Sequence, residues 1–433
     1  MNFIPNILFA ITLIIGGGFF VKNVKSLIRN INLGKDVDVS DNKKQRWKNM
    51  AMIALGQSKM VRRPIAGFLH VIVYVGFIII NIEVLEIIID GLFGTHRIFS
   101  GIGSLYGFLI ASFEILAILV IFAVVVFWIR RNIIKLKRFW NPEMTSWPKN
   151  DANYILYFEM VLMSLFLIMN ATDVQFQAMH SGNIVSQFIE PLFSGVSESA
   201  LHIIERSAWW IHIIGILIFL NYLYYSKHLH ILLAFPNTYY GSLKPKGELD
   251  NLEAVTKEVM LMMDPNADPF AAPADDAEDP EKFGASDVMD LNWVQLLNAY
   301  TCTECGRCTS SCPASLTGKK LSPRKIMMDT RDRLEEVGKN IDKNKGTFVD
   351  DGKQLLNDYI SPEELWACTT CNACVEECPV SISPLSIILD MRRYLVMEQS
   401  AAPSELNNMM TNIENNGAPW PYNQMDRLNW KDE

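Results

Sequence analysis

Cysteine is absent from the first 301 residues of this 433-residue chain, and all eight cysteines lie between residues 302 and 378. Cysteines in a secreted protein would suggest disulfides, but tight Cys-x2-Cys groups favour metal binding. The sequence has neither a Gly-rich dinucleotide fingerprint nor a Walker loop, so neither nucleotide site is expected. A formal net charge of −8 excludes the basic character typical of nucleic-acid-binding proteins.

Long apolar runs are concentrated in residues 1–235. Crossing a bilayer takes about 20 apolar residues, and five stretches meet that length. They are Phe3–Val21, Pro64–Ile82, a run within 101–129, Asn153–Ala171 and Ser207–Tyr225. The first has no basic residue before it and no small-residue cleavage site after it, so a retained helix is expected rather than a signal peptide.

The loops between these spans differ in basic charge. Residues 22–63 contain 11 Lys and Arg, and residues 130–152 contain six. The alternate loops carry only Arg97 in residues 83–100 and Arg206 in residues 172–206. Because basic loops stay in the cytoplasm, the pattern predicts a multi-pass protein of the cytoplasmic (inner) membrane. Its N-terminus would lie outside, and everything after Tyr225 inside.

Three of the seven histidines fall at membrane depth or at its edge. His70 lies near the cytoplasmic end of span two, and His212 and His230 bracket span five, 18 residues apart. On one continuous helix this separation is five turns, roughly 27 Å, so both rings would share a face. That spacing suits ligands of two stacked haems. His70 and His230 would be the axial ligands of one inner haem b, with His228 as an alternative inner ligand; interfacial histidines are the other interpretation.

Two acidic residues also lie within predicted spans: Glu114 in span three and Glu159 in span four. Carboxylates there are costly unless they are neutral, paired or hydrated. Two interpretations remain open. The two residues either carry protons to or from a quinone, or are protonated and hydrogen-bonded for packing.

The cysteines form two copies of one motif, "CTECGRCTSSCP" at 302–313 and "CTTCNACVEECP" at 368–379. The Cys-x2-Cys-x2-Cys-x3-Cys-Pro spacing is typical of [4Fe–4S] clusters, in which the fourth cysteine ligates the other cluster. Cluster one would use Cys302, Cys305, Cys308 and Cys378; cluster two would use Cys368, Cys371, Cys374 and Cys312. Zinc is the alternative, but zinc sites use separated cysteine pairs.

Helical patterns surround the motifs. Residues 321–338 open with Ser-Pro, a further helix begins near Ser361-Pro362, and Ser383–Glu398 forms a third. Since no alternating strand pattern occurs, the predicted fold class is all-α. We expect a five-helix transmembrane domain over 1–236, an acidic linker over 237–290, a two-cluster domain over 291–399, and a polar docking tail over 400–433.

Both halves resemble known families. Phe68-Leu69-His70 and the segment "HIIGILIFLNYLYYSKHLH" (212–230) resemble the cytochrome b (gamma) subunit of respiratory nitrate reductase. That family binds two haems through two histidines on span two and two on span five. Ile80 stands where the second histidine of span two would be, so an outer haem would need His212 and another partner. The cluster domain resembles the α-helical ferredoxins of succinate dehydrogenase and of heterodisulfide reductase.

The whole chain resembles membrane iron–sulfur oxidoreductases, including the proteins that link electron-transfer flavoprotein to menaquinone. This resemblance implies electron transfer between a cytoplasmic redox partner, two [4Fe–4S] clusters, haem b and quinone. Relatives use Cys-Cys-Gly signatures for catalysis, and this chain has none, so a separate catalytic subunit of that type or a flavoprotein is expected. The alternative function is a membrane-bound redox sensor or scaffold without turnover.

Overall fold

The computed structural model describes residues 3–265 and 282–431. Within these residues no β-strand is present, and the β interactions are isolated bridges between Lys35 and Asn292 and between Leu356 and Ile360. The predicted all-α class is therefore confirmed.

The helices of nine or more residues are labelled here in chain order. They are α1 (Ile4–Ile31), α2 (Pro64–Phe93), α3 (Ser104–Asn132), α4 (Trp147–Thr172), α5 (Glu198–Tyr222), α6 (His230–Tyr240), α7 (Glu253–Met263), α8 (Trp293–Thr301), α9 (Pro323–Lys343), α10 (Pro384–Met397) and α11 (Ser404–Asn416). Shorter α-helices are Lys43–Met50, Val174–Ala178, Ser186–Ile189, Arg307–Ser311, Pro313–Leu316, Leu355–Asp358, Pro362–Trp366 and Ala373–Glu377.

The five helices α1 to α5 pack as a ring. Helix α2 contacts α1 and α3, helix α4 contacts α3 and α5, and α5 returns to α1. As the sequence predicts, all five helices are long and apolar enough to cross a membrane. An apolar core that includes Phe9, Ile80, Phe113, Phe166 and Ile213 lies inside this bundle.

Helix α2 is longer than the sequence predicted. Its expected end was Ile82, but it continues to Phe93 and stops at Gly94, whose φ of 70° is a left-handed helix cap. The extension exists because Glu83 and Glu86, which look like loop residues in the sequence, are buried inside the bundle.

Helix α5 begins and ends earlier in the chain than the predicted span Ser207–Tyr225. It ends at Tyr222, and Ser226 is extended with φ −113° and ψ 146° before α6 begins at His230. The buried carboxylate of Asp151 stabilises this break by accepting hydrogen bonds from the Tyr222 hydroxyl (2.6 Å) and the Lys227 N–H (3.1 Å). The prediction of five continuous turns between His212 and His230 is therefore wrong.

Residues 282–398 form a helical domain, called the module below. Its helices begin with the expected signals: the Ser322 side chain caps α9 ahead of Pro323, and Ser361 forms a capping box with Glu364. One hydrophobic core joins the module to the bundle. This core includes Leu27 and Phe219 from the bundle together with Leu296 and Ile388 from the module.

The predicted acidic linker is only partly correct. Residues 266–281 lie outside the described residues, and α7 occupies part of the remainder. Residues 282–290 are not a solvated tether, because Ala285 and Val288 are buried in the module core. Asp287 anchors this segment by pairing with the buried Arg333 guanidinium at 2.8 Å.

The C-terminal segment contains α11 and a terminal 3₁₀ segment, Gln424–Lys431. Trp420, Tyr422 and Trp430 are exposed rather than packed on the module. A docking role for this tail stays a prediction.

The Asp287–Arg333 pair gives a test of how the module is held. Because Arg333 is fully buried, Asp287→Asn is expected to lower the free energy of unfolding by about 3 kcal/mol, as for a buried pair that loses one partner. Thermal unfolding in detergent, followed by helical circular dichroism, would measure the loss. Lys353→Gln, in the exposed pair with Glu336, is the matched control and should change stability by less than about 1 kcal/mol. Equal effects of the two substitutions would contradict the assignment.

Candidate metal centre

Five cysteines line one cavity in the module: Cys302, Cys305, Cys308, Cys374 and Cys378. The thiol of Cys308 interacts electrostatically with those of Cys305, Cys302, Cys378 and Cys374. Cys302, Cys305, Cys308 and Cys378 are called the first thiol set below. Three of its members come from the first motif and one from the second.

A close approach of backbone to side chain shapes the loop of the first set. Gly306 has a φ of 70°, and an added Cβ there would lie 2.4 Å from the Arg324 guanidinium. Glycine at this position therefore permits the turn that presents Cys305 and Cys308 to the cavity.

The remaining thiols form the second thiol set: Cys312, Cys368, Cys371 and Cys374. Cys374 interacts electrostatically with Cys368, Cys312 and Cys371. Cys312 thus joins the second motif, just as Cys378 joins the first. Cys371 is exposed, so the second set lies nearer the protein surface. Ligation of iron by these sets stays a prediction.

Burial favours the protonated form of two thiols of the first set. It raises the pKa of Cys302 to about 12 and that of Cys378 to about 11, with the neighbouring thiols adding to the effect. Cluster ligands must be thiolates, so iron binding would displace these protons. Backbone N–H groups already point at sulfur: Thr370 N–H donates to Cys368 Sγ at 3.4 Å, and Ile382 N–H to Cys378 Sγ at 3.3 Å.

The donor sets fit clusters better than single ions. Across residues 3–265 and 282–431, no three His, Cys, Asp or Glu side chains are close enough to hold one metal ion. Thiols spread around a shared space are the arrangement that a multi-iron cluster, with its own sulfides, requires. The chemistry of the two four-thiol sets therefore fits two [4Fe–4S] clusters.

His70 and His230 face one another where the bundle meets the module. Their ring centres are 6.4 Å apart. Two imidazoles that bind one metal from opposite sides, with metal–nitrogen bonds of about 2 Å, have ring centres roughly 6 Å apart. The break after Tyr222, rather than a continuous helix, brings His230 to this position.

The hydrogen bonding of both rings also fits a ligand role. His230 Nδ1 donates to the Lys227 carbonyl at 3.0 Å, which leaves Nε2 as a metal donor. His70 has a buried Nδ1 without a hydrogen-bond partner among the described residues. Burial lowers the pKa of His230 and keeps it neutral, the form that binds metal. These residues therefore fit the axial ligands of a haem b.

The other two candidate histidines occupy different surroundings. His228 packs on the Phe219 ring at 5.5 Å, and its Nε2 lies 3.8 Å from a Glu159 carboxylate oxygen. His212 is buried beside the Phe166 ring, with Nδ1 unpartnered among the described residues. The structure thus brings Glu159 to His228, and it places His212 deeper in the bundle.

Glu114 is fully buried, and both oxygens of its carboxylate accept hydrogen bonds. Its carboxylate accepts hydrogen bonds from Asn170 Nδ2 (3.0 Å), Val185 N–H (2.7 Å) and Ser186 N–H (3.0 Å). This geometry favours the packing interpretation, because Glu114 ties the loop after α4 to α3.

An ion pair joins the two candidate sites. Lys227, whose carbonyl holds His230, pairs with Glu304, which lies between Cys302 and Cys305 in the first motif. Glu304 also accepts a hydrogen bond from Arg331 at 2.8 Å. Burial alone would raise the pKa of Glu304, but Lys227 and Arg331 outweigh it and hold the pKa below its usual range.

Further contacts hold the first thiol set against the bundle. Arg307 donates to the Lys59 and Met60 carbonyls, both at 3.1 Å, and lies within electrostatic range of His70. Arg62 and Arg63, which lie just before α2, pair with acids of the second motif. These pairs are Arg62–Glu376 (2.6 Å) and Arg63–Glu377 (2.7 Å).

Sequence reasoning missed a buried polar network at the far end of the bundle, opposite the module. Arg97 donates to Asp173 Oδ2 and Asn170 Oδ1, each at 2.9 Å, and Tyr106 donates to Glu86 at 3.1 Å. Burial works to lower the pKa of Arg97, but Tyr106 and nearby carboxylates outweigh it and raise the pKa. One signal was available: Glu83, Glu86 and Asp90 recur at helical spacing.

Substitution of the fourth cysteine of each motif tests whether that cysteine belongs to the cluster of the other motif. We expect Cys312→Ser to remove the same cluster as Cys371→Ser, because both belong to the second set, whereas Cys378→Ser removes the cluster lost in Cys305→Ser. Electron paramagnetic resonance spectra of the reduced variants would distinguish the two clusters. Loss of the same signal in Cys312→Ser and Cys305→Ser would show that each motif ligates its own cluster.

The position of Glu304 predicts that its negative charge lowers the reduction potential of the cluster in the first thiol set. Glu304→Gln removes a negative charge beside the first set, so the reduction potential of that cluster should rise, since the reduced form is the more negative. A redox titration followed by electron paramagnetic resonance would measure the change. The control is Asp342→Asn, which alters an exposed pair with Arg29 that also joins module and bundle. An equal shift in both variants would rule out a local effect of Glu304.

Comparisons with known proteins agree with the thiol geometry. A 4Fe-4S dicluster domain model matches residues 301–382. The chain is 29% identical to a probable iron-sulfur-binding oxidoreductase, FadF, of Bacillus subtilis, over 96% of this chain and 59% of the relative. It is 25% identical to EtfAB:quinone oxidoreductase of Syntrophomonas wolfei, over 92% of this chain and 55% of that protein.

A shorter similarity covers the module. One subunit of the ferredoxin/F(420)H(2)-dependent CoB-CoM heterodisulfide reductase of Methanosarcina acetivorans is 33% identical over 28% of this chain and 60% of the relative. No solved structure matches the chain. The chain spans less than two thirds of each of the three relatives named here. It carries a 4Fe-4S dicluster domain and is similar, over most of its own length, to iron–sulfur oxidoreductases.

Proposed function

We propose that this chain is the electron-transfer unit of a membrane oxidoreductase that exchanges electrons between a soluble redox partner and quinone. The observation that carries the proposal is the Glu304–Lys227 contact, which joins the first thiol set to the facing pair His70 and His230. The similarity to an EtfAB:quinone oxidoreductase, that of Syntrophomonas wolfei, supports quinone as the membrane substrate.

The surroundings of the thiol sets and of the histidine pair support an order for electron transfer. Cys371 of the second thiol set is exposed, so a soluble partner would approach that set first. Electrons would then pass through the first set, where Glu304 contacts Lys227 beside His230. When bound, two [4Fe–4S] clusters and a haem b would supply single-electron transfer, which joins a two-electron donor to quinone. His70 and His230 would hold the haem, with His212 the candidate ligand for a second one.

The protein around these sites excludes water and fixes positions. Arg392 donates to the Leu365 carbonyl at 2.6 Å and to the Cys368 carbonyl at 2.5 Å, which orders the second motif. Asn237 donates to the Val380 carbonyl at 2.7 Å, which fixes the chain beyond Cys378 to α6. Such rigid placement favours electron transfer, because the separations between sites stay constant.

The proposal also includes a catalytic partner and the side of the membrane on which the module lies. The basic loops put the module in the cytoplasm, in a multi-pass protein of the inner membrane. A catalytic subunit of the Cys-Cys-Gly type, or a flavoprotein, would contact the surface near Cys371 or the exposed tail residues Trp420 and Trp430. The heterodisulfide reductase relative is itself one subunit of an enzyme, which supports a multisubunit assembly.

A test of the proposal uses the purified chain in lipid nanodiscs. We expect about eight non-haem irons per chain, as for two [4Fe–4S] clusters, together with the absorption bands of haem b. His70→Ala should abolish the haem bands and leave the cluster signals, whereas His180→Ala, at an exposed position, should leave both unchanged. After reduction, added naphthoquinone should reoxidise haem and clusters.

Two results would count against the proposal. Unchanged haem bands in both His70→Ala and His230→Ala would refute the ligand assignment. Cofactors that are present but stay reduced with every quinone would instead favour a redox sensor or scaffold without turnover.

A further inference from the structure

A cavity of about 480 Å³ opens at the far end of the bundle. Residues of α1, α2, α4 and α5 line it, together with the segment that follows α2. Its volume lies within the range of about 300–1,000 Å³ that is common for small-molecule sites. It is separate from the thiol sets and from His70 and His230.

One wall of this cavity is aromatic. The ring of Phe9 lies 5.1 Å from that of Trp209 and 5.7 Å from that of Trp210, and the two tryptophan rings are 5.3 Å apart. Three contacting rings form a surface on which a planar ring can pack.

The lining of the cavity has more acidic than basic side chains. The acids that line the cavity are Glu83, Glu86, Asp90, Asp173 and Glu205; the bases are Arg97 and Arg206, with His96. Both arginines are already engaged, Arg97 with Asp173 and Arg206 with Glu205. His96 Nε2 also contacts Asp173, at 3.1 Å. Arg97 is also within electrostatic range of Glu83 and Glu86, so it partly offsets the negative charge of the cavity.

Glu83 is the exceptional member of this lining. The residue is only 3% exposed, and its Oε2 has no hydrogen-bond partner among the described residues. A buried acceptor without a partner is costly. A ligand that donates a hydrogen bond from within the cavity would remove that cost.

We propose that this cavity binds the ring of a hydroquinone, with one ring hydroxyl donating to Glu83; this inference rests on the proposed exchange with quinone. The aromatic wall suits a planar ring, and the excess of acceptors suits hydroxyl donors. Oxidised quinone has only carbonyl acceptors, so the site should prefer the reduced form.

Glu83 is also placed to accept the hydroxyl proton. In that step the ring O–H bond breaks, the proton adds to the Glu83 carboxylate, and the ring keeps the electron pair as a hydroquinone anion. Glu83, Glu86 and Asp90 are spaced i, i+3 and i+7 on α2, so they follow one face toward the end of the helix. Asp90, at that end, contacts Thr95 at 2.5 Å.

The cavity also lies close to a buried histidine of the bundle. Trp209 precedes His212 by three residues on α5, a rise of about 4.5 Å along the helix axis. A ring packed on Trp209 would therefore lie near the candidate ligand of a second haem.

Binding to the purified chain in nanodiscs tests the inference. The probes are menadiol and its oxidised form menadione, under anaerobic conditions, with quenching of tryptophan fluorescence as the readout. Glu83→Gln replaces one acceptor oxygen with a donor NH2 group, so it should weaken menadiol binding by about tenfold. It should change menadione binding by less than about threefold, since menadione has no hydroxyl to donate.

Two further variants keep the result interpretable. Glu198→Gln, at an exposed position on the first turn of α5, is the matched control and should alter neither affinity. Thr95→Trp, at an exposed position of the cavity lining, should weaken both probes by closing the cavity.

An unchanged ratio of menadiol to menadione affinity in Glu83→Gln would overturn the inference. So would displacement of menadiol by phosphatidylethanolamine but not by phosphatidylglycerol, which would identify a lipid ammonium group as the occupant. If naphthoquinone still reoxidises the cofactors of Thr95→Trp at the wild-type rate, the inference fails while the proposed function stands. If the wild-type cofactors are not reoxidised at all, the proposed function itself fails.

Discussion

A buried carboxylate between two cations connects the halves of this protein. Glu304 belongs to the first cysteine motif and contacts Lys227 of the loop before α6 and Arg331 of α9. Each of these charges is nearly removed from water, so each depends on its partners. Since the Lys227 carbonyl also orients His230, one ionic contact positions a thiol loop and an imidazole ring together.

In the same region, basic residues of the loops between the long apolar helices form specific ion pairs. Arg62 and Arg63 pair with Glu376 and Glu377, which lie next to Cys378. Arg324 of the module is fully buried and pairs with Glu143, which lies between α3 and α4. Charged residues of the module and of the loops of the bundle thus hold the first thiol set against the bundle.

Features with a local signature could be predicted from the sequence. The two cysteine motifs fix their chemistry by spacing alone, and the apolar runs are long enough to identify five spanning helices. The pairing of Cys312 with the second motif follows from the same spacing rule. His70 could be proposed because an ionisable residue within an apolar helix is uncommon.

Features that depend on tertiary contacts could not be predicted. The break at Ser226 is stabilised by Asp151, 75 positions earlier in the chain, so helical periodicity placed His230 incorrectly. Glu83 and Glu86 looked like loop residues because hydropathy does not show that a carboxylate is buried among partners. Residues 282–290 looked like part of a tether because they continue a stretch rich in Asp, Pro and Ala, yet Asp287 is anchored by Arg333 from a distant helix.

The hydrophobic core that runs without interruption from Leu27 and Phe219 to Leu296 and Ile388 has a consequence for biogenesis. Severing the soluble part from its membrane anchor would uncover apolar surface, so a truncated version should aggregate instead of behaving as a free ferredoxin. Docking also sets Lys227 against Glu304, which lies between Cys302 and Cys305. We therefore expect iron and sulfide to reach this motif before the two parts close together, which would couple cofactor maturation to membrane insertion.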